Sequence, residues 1–245
     1  MTSPKNLNVL SVNAAFDGSQ MSELPCHDLA DAESALSTAH GLFQDRARWL
    51  GVPERIEVLR RTGEIMRDRI EELTLQAARE GGKPYTDSKI ELRRAIDGLD
   101  NCIEVLRAEG GEVIPMGVNK PSAGRVAFTR REPIGVVVAV SAFNHPMNLI
   151  VHQVAPGVAA GCPVIVKPAP DTPLSGKSFV EILHEAGLPP EWCQLIITDQ
   201  IDVAEKLVKD ERVGLFSFIG SARVGWMLRS KLAPGTRAAL EHGGA

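Results

Sequence analysis

The sequence predicts an α/β protein: a buried parallel sheet flanked by helices, preceded by a helical segment. Three observations lead there. In the second half of the 245-residue chain, short apolar runs recur at 134–140, 163–167, 194–198, 215–219 and 238–241. Helix-length stretches at 148–160, 175–186, 202–209 and 222–232 separate them, and that alternation builds βαβ units around a buried sheet. Before about residue 114, apolar residues instead recur three, four or seven apart, the spacing of a helix face.

Taken in order, residues 1–28 carry no sustained pattern and are expected to be partly loose. A helix over 31–48 is Ala-rich and short of large apolar groups. Pro53 suits a first helical turn, and Ile56, Leu59, Met66, Ile70, Leu73 and Ala77 then line one face of a single helix that Gly81-Gly82 stops. Ser88 and Glu91 read as a capping box opening the next helix, with the stripe Leu92, Ile96, Leu99, Ile103 and Leu106 and a stop at Gly110-Gly111. Residues 124–132 alternate like a strand until Pro133 breaks it. The expected division is therefore 1–123 helical, 124–132 a strand arm and 133–245 the sheet-bearing part. Crossovers in such a sheet are right-handed, and ligands sit at the carboxyl ends of its strands.

Composition narrows the function. Lys and Arg total 27 against 31 Asp and Glu, a net charge of −4, and aromatics are 4%. Neither bulk attraction to nucleic acid or anionic lipid nor a base-stacking surface is indicated. Cys26, Cys102, Cys162 and Cys193 are far apart with no CxxC pair, so no zinc ribbon or redox dithiol is expected, and reduced thiols are. Residues 1–12 lack the apolar run of a signal peptide, and no stretch approaches the roughly 20 apolar residues of a membrane helix, so a cytoplasmic location is expected.

The chemistry-bearing residues follow the apolar runs. Asn144 brings two N–H donors to the first strand end, suited to a developing oxyanion, or it is a loop Asn bonding its own backbone. His145 beside it reads first as a surface or hydrogen-bonding His and only second as a general base. Lys167 ends the second strand, where it either donates to ribose or phosphate or extends to water. Cys162 precedes that strand, at the end away from the crevice, and reads as a small buried residue. Gly220, Ser221 and Gly225 form a strand-to-helix turn able to approach a pyrophosphate, though the pattern is neither GxGxxG nor a Walker motif. Glu241 leaves the last strand before Gly243-Gly244, as a general base or as an exposed strand end.

In this order, Phe143-Asn144-His145-Pro146, Val166-Lys167-Pro168-Ala169, Phe218-Ile219-Gly220-Ser221 with Gly225, and Leu240-Glu241-His242-Gly243-Gly244 resemble the aldehyde dehydrogenase superfamily from about Pro53 to Ala245. The resemblance implies a Rossmann-like NAD- or NADP-binding fold. It also implies oxidation of an aldehyde to a carboxylic acid through a cysteine thioester. Asn144 would steady the oxyanion and Glu241 would activate water. Lys167, with Ala169 and Pro170, would lie at the adenosine ribose, and Gly220, Ser221 and Gly225 at the pyrophosphate. A full-length homodimer or homotetramer would use 124–132 as an assembly arm.

Three departures qualify it. The family nucleophile lies a few tens of residues beyond the Gly-Gly turn, so the chain reads as a truncated, amino-terminal half without the catalytic domain, and no turnover is expected of it alone. Pro170 stands where the family often has a Glu, which opens the site to a 2′-phosphate. Ile219 and His242 replace the commoner Thr and Leu. Forms that pass the acyl group to coenzyme A usually lack the acid at Glu241, so the resemblance favours a free carboxylic acid as product. A catalytically silent nucleotide-binding or interaction module, or a bare fragment that binds nothing, are the competing readings.

Overall fold

The structure, a computed structural model, describes residues 8–243. Gly244 and Ala245 of the predicted turn, and the first seven residues, lie outside them.

The described residues begin with an antiparallel hairpin, β1 (Val9–Asn13) and β2 (Gln20–Pro25), so the expected loose start is corrected over these residues. Val12 and Leu24 are buried against Ile197, and that docking orders a segment whose own pattern is too short to read. Helix α1 (Leu29–Gln44) has a true capping box, with Asp28 accepting from Ala30 and Asp31 N–H and Asp31 returning to the Asp28 N–H.

The single helix expected from Pro53 to Gly81 is two, α2 (Val52–Asp68) and α3 (Ile70–Gly81), broken at Arg69. One non-helical residue redirects the chain while leaving the three-and-four spacing almost intact, which hid the break. Helix α4 (Tyr85–Ala108) begins three residues before Ser88. Ser88 is fully buried with its hydroxyl unpartnered, so the predicted Ser88–Glu91 capping box does not form. The strand expected over 124–132 shrinks to β4 (Ala127–Phe128), paired with β3 (Val113–Ile114). Val113, Val126 and Phe128 are 75–85% exposed, so this alternating segment has no second layer to pack on.

The second half follows the predicted alternation: β5 (Val136–Val140), α5 (Pro146–Ala160), β6 (Val164–Lys167), α6 (Pro173–Glu185), β7 (Cys193–Leu195), α7 (Ile201–Lys209), β8 (Val213–Gly220), α8 (Ala222–Arg229) and β9 (Arg237–His242). These strands form one parallel sheet in the order β7-β6-β5-β8-β9. Helices α5 and α6 start two residues earlier than expected, because Pro146 and Pro173 occupy first-turn positions that need no N–H donor.

Both faces of the sheet's central strands are covered, which is why β5, β6 and most of β8 are apolar, whereas the edge strand β9 is largely exposed and carries Arg237, Glu241 and His242. Val137, Ala139, Val164 and Val166 face the layer containing α2 to α6. Their alternates Val136, Val138, Val140, Ile165, Phe216 and Phe218 face α1, α7 and α8. Cys162 and Cys193 are buried in the first layer, and all four cysteines are free thiols. No described helix is long and apolar enough to cross a membrane.

Candidate functional site

Strand register places the candidate residues. Val140 at the end of β5 lies level with Lys167 on β6 and with Phe218 on β8, while Ile219 and Gly220 pair with Glu241 and His242. Asn144 follows β5 by four residues, and Ser221 follows β8 directly. All therefore stand at one edge, the carboxyl ends of the parallel strands. The two-residue period then sorts them by face. Lys167 falls on the face of Ile165, Val140 and Phe218, toward α8. Leu240 packs on that same face, so its successor Glu241 is directed to the other, the face that α5 covers and into which the Asn144 turn leads.

On the α8 side, Lys167 is buried at 8% exposure, and its Nζ donates to the neighbouring Pro168 carbonyl at 3.1 Å. Burial pushes its pKa down, while Asp199 and Asp171 favour the ammonium form. Ala169 is buried and Pro170 half-buried beside it. Ser221 is the N-cap of α8, its Oγ accepting from the Val224 N–H. Replacing Ser221 with Ala is expected to cost about 1 kcal/mol, read as a melting temperature about 2–4 °C lower; an unchanged melt would show the cap to be idle. A Cβ on Gly225 would come within 2.3 Å of His242 Nε2 and 2.9 Å of the Phe218 ring, so only Gly lets α8 lie this close to β9. A Cβ on Gly220 would meet the same ring at 2.7 Å. His242 packs edge-on to Trp226 with ring centroids 5.2 Å apart.

On the α5 side, Asn144 and Glu241 are both exposed. Of the residues supporting this turn, Gln153 and Glu80 carry no motif, and Glu91 reads in the sequence only as a local capping residue. Gln153 of α5 donates to the Val140 and Ser217 carbonyls at 3.2 and 3.0 Å, tying the helix to the ends of β5 and β8. Glu91 of α4, 1% exposed, accepts from the Met147 and Asn148 N–H groups at 2.9 and 3.1 Å. Glu80 of α3 does the same for α6, accepting from Leu174 and Ser175 N–H and from the Ser175 hydroxyl. Neither α5 nor α6 has a side-chain cap of its own, so each borrows a carboxylate from the amino-terminal helices. The only hint in the sequence is an acid on an otherwise apolar helix face.

None of the four cysteines has a thiol activated by its surroundings. Cys162 precedes β6, at the opposite edge from Lys167, and burial raises its thiol pKa. Cys193 is fully buried, its thiol pushed up to about 12. Burial also raises Cys26 and Cys102. A thiolate nucleophile needs the opposite shift.

The sequence profile of the aldehyde dehydrogenase family matches residues 2–245. A 3-sulfolactaldehyde dehydrogenase of Priestia aryabhattai is 38% identical over 178 residues, covering 73% of this chain and 37% of the relative. A 2,5-dioxopentanoate dehydrogenase of Saccharolobus solfataricus is 30% identical over 238 residues, covering 96% and 49%. Among solved structures, aldehyde dehydrogenase 21 of Physcomitrella patens in complex with succinate superimposes with a TM-score of 0.92 at 31% identity, covering 98% of this chain and 50% of that one. The glyceraldehyde-3-phosphate dehydrogenase GapN of Methanocaldococcus jannaschii, complexed with NADP, gives 0.89 at 28% identity, covering 98% and 52%. The chain spans about half the length of such relatives or less. With a family profile matched along nearly its whole length and a fold shared with solved members, the chain belongs to the aldehyde dehydrogenase family.

Proposed function

We propose that this chain is the dinucleotide-binding half of an enzyme that oxidises an aldehyde to a carboxylic acid, with the nucleophilic thiol supplied from outside these residues. The observation that carries the reading is the division of one strand edge. Lys167 and the α8 turn stand on one face, and Asn144 and Glu241 on the other. Relatives named for 3-sulfolactaldehyde and 2,5-dioxopentanoate support a small anionic aldehyde as substrate.

The residues present suit a dinucleotide. Lys167 has N–H donors beyond the one directed to Pro168, and a buried ammonium favours further hydrogen-bond acceptors such as ribose hydroxyls. Gly220 and Gly225 keep Cβ atoms out of the turn, and the start of α8 offers backbone N–H groups to phosphate. A bound nicotinamide would supply the two-electron oxidant. The chain's own contribution is positional and electrostatic. The Asn144 amide donates to the carbonyl oxygen as negative charge develops there, and the Glu241 carboxylate takes a proton from the water that releases the acid. Pro170 leaves no carboxylate at its position to repel a 2′-phosphate, while Asp199 and Asp171 add negative charge near Lys167.

Calorimetric titration with NAD and with NADP tests the reading. Heat is expected with at least one, and Lys167→Ala should weaken that binding about 10–100-fold, as for loss of a charge-assisted hydrogen bond. Silence with both dinucleotides would leave a bare structural fragment. A second reading, a catalytically silent nucleotide-binding module, draws on the four free thiols, each of which burial pushes away from the thiolate form. An aldehyde panel should give no turnover with this chain alone, and turnover would show that one of these four thiols reacts.

A further inference from the structure

The turn that carries Asn144 is tied to the amino-terminal helices through one partly buried cluster. Lys83 follows α3, and its Nζ lies 2.6 Å from Glu91 Oε2 and 2.6 Å from His145 Nδ1. Glu91 is enclosed, and its other oxygen holds the first N–H groups of α5. The Lys83 side chain is 15% exposed and that of His145 41%. His145 Nδ1 is 3.7 Å from the Glu91 carboxylate, beyond hydrogen-bond reach. Its close partner is therefore the ammonium, which has three donors and no acceptor. Nδ1 must then accept, and the proton of the neutral ring sits on Nε2.

We propose that Lys83 and Glu91 are positioning residues for the Asn144 turn: they lock His145 as its Nε2–H tautomer, so that the turn offers a neutral imidazole N–H donor beside the Asn144 amide. Glu91 fixes where α5 begins, and Lys83 fixes the ring at its N-cap. The chain between Val140 and Pro146 is thus pinned at its helical end by a charge cluster, and Asn144 sits one residue before the pin. His145 is a donor in this arrangement and not a base. The catalytic consequence rests on the proposed role of Asn144, whereas the tautomer does not.

Long-range proton–nitrogen spectra of the histidine rings, recorded on this chain at about pH 8 and assigned with His145→Phe, test the proposal. The wild type should show His145 with its proton on Nε2 alone. Lys83→Met should give a mixture of tautomers, with amide exchange at residues 142–145 accelerated about 10-fold, and Lys83→Arg should restore the wild-type pattern. A proton on Nδ1 in the wild type, or a Lys83→Met spectrum identical to it, would overturn the proposal. The wild-type spectrum decides even where the Met variant folds poorly. Because it needs neither cofactor nor turnover, a failed dinucleotide titration would count against the enzyme reading and leave the tautomer standing.

Discussion

Glu91→Ala is expected to destabilise the protein by about 3–5 kcal/mol, the usual range for removing one partner of a buried ion pair. Three groups lose their acceptor together. Lys83, largely enclosed, is left without its carboxylate, and the Met147 and Asn148 N–H groups at the start of α5 become orphans. Since α5 packs on β5 and its own sequence supplies no cap, water would have to enter a buried junction to replace the lost acceptor. Total stabilities of domains are themselves about 5–15 kcal/mol, so the variant should fold marginally at 37 °C. Urea unfolding followed by circular dichroism measures the loss. A change below about 1 kcal/mol would show that the cluster is solvated and contributes like an exposed pair.

The second large effect is a dependence on pH at Glu80. Burial raises its carboxyl pKa from 4.5 to about 7, against the opposing hydrogen bonds from Ser175 and Leu174. The folded chain therefore holds a proton that the unfolded chain has released between about pH 4.5 and 7. The stabilising contribution is complete below the unfolded value and is lost as pH rises through the folded one. Over the full window this amounts to roughly 3 kcal/mol. Urea midpoints at pH 5 and pH 8 should fall for the wild type, and Glu80→Gln should flatten that slope. Equal slopes in the two proteins would refute it. The paired carboxylates at Glu33 and Asp210, held low by Arg212 and Lys206, lose their contribution only as pH falls below the ordinary carboxylate range, so they do not confuse the comparison.

Glu80 and Glu91 also show where reading a sequence stops. Each sits on a helix among apolar neighbours, and Glu91 stands three residues after Ser88 in what reads as a local cap. Their actual partners lie 94 and 56 residues away. The sequence predicts capping within one helix, and the structure supplies it across two. The hairpin of β1 and β2 is illegible in the sequence for a related reason. Its few apolar residues gain their partner, Ile197, from the far side of the chain.

The sequence by itself determined the alternation of strands and helices, because a sheet covered on both faces requires continuous apolar runs, and those runs can be read at single-residue scale. It also determined that Asn144, Lys167, Ser221 and Glu241 would share an edge, since parallel strands joined by helices all end on the same side. Only the tertiary structure decided which face of that edge each residue serves, and which distant acids hold the helices that follow. Those depend on register and on packing between segments remote in sequence. A buried carboxylate is tolerated wherever three-dimensional neighbours bring it donors, and local sequence does not say where those neighbours will be.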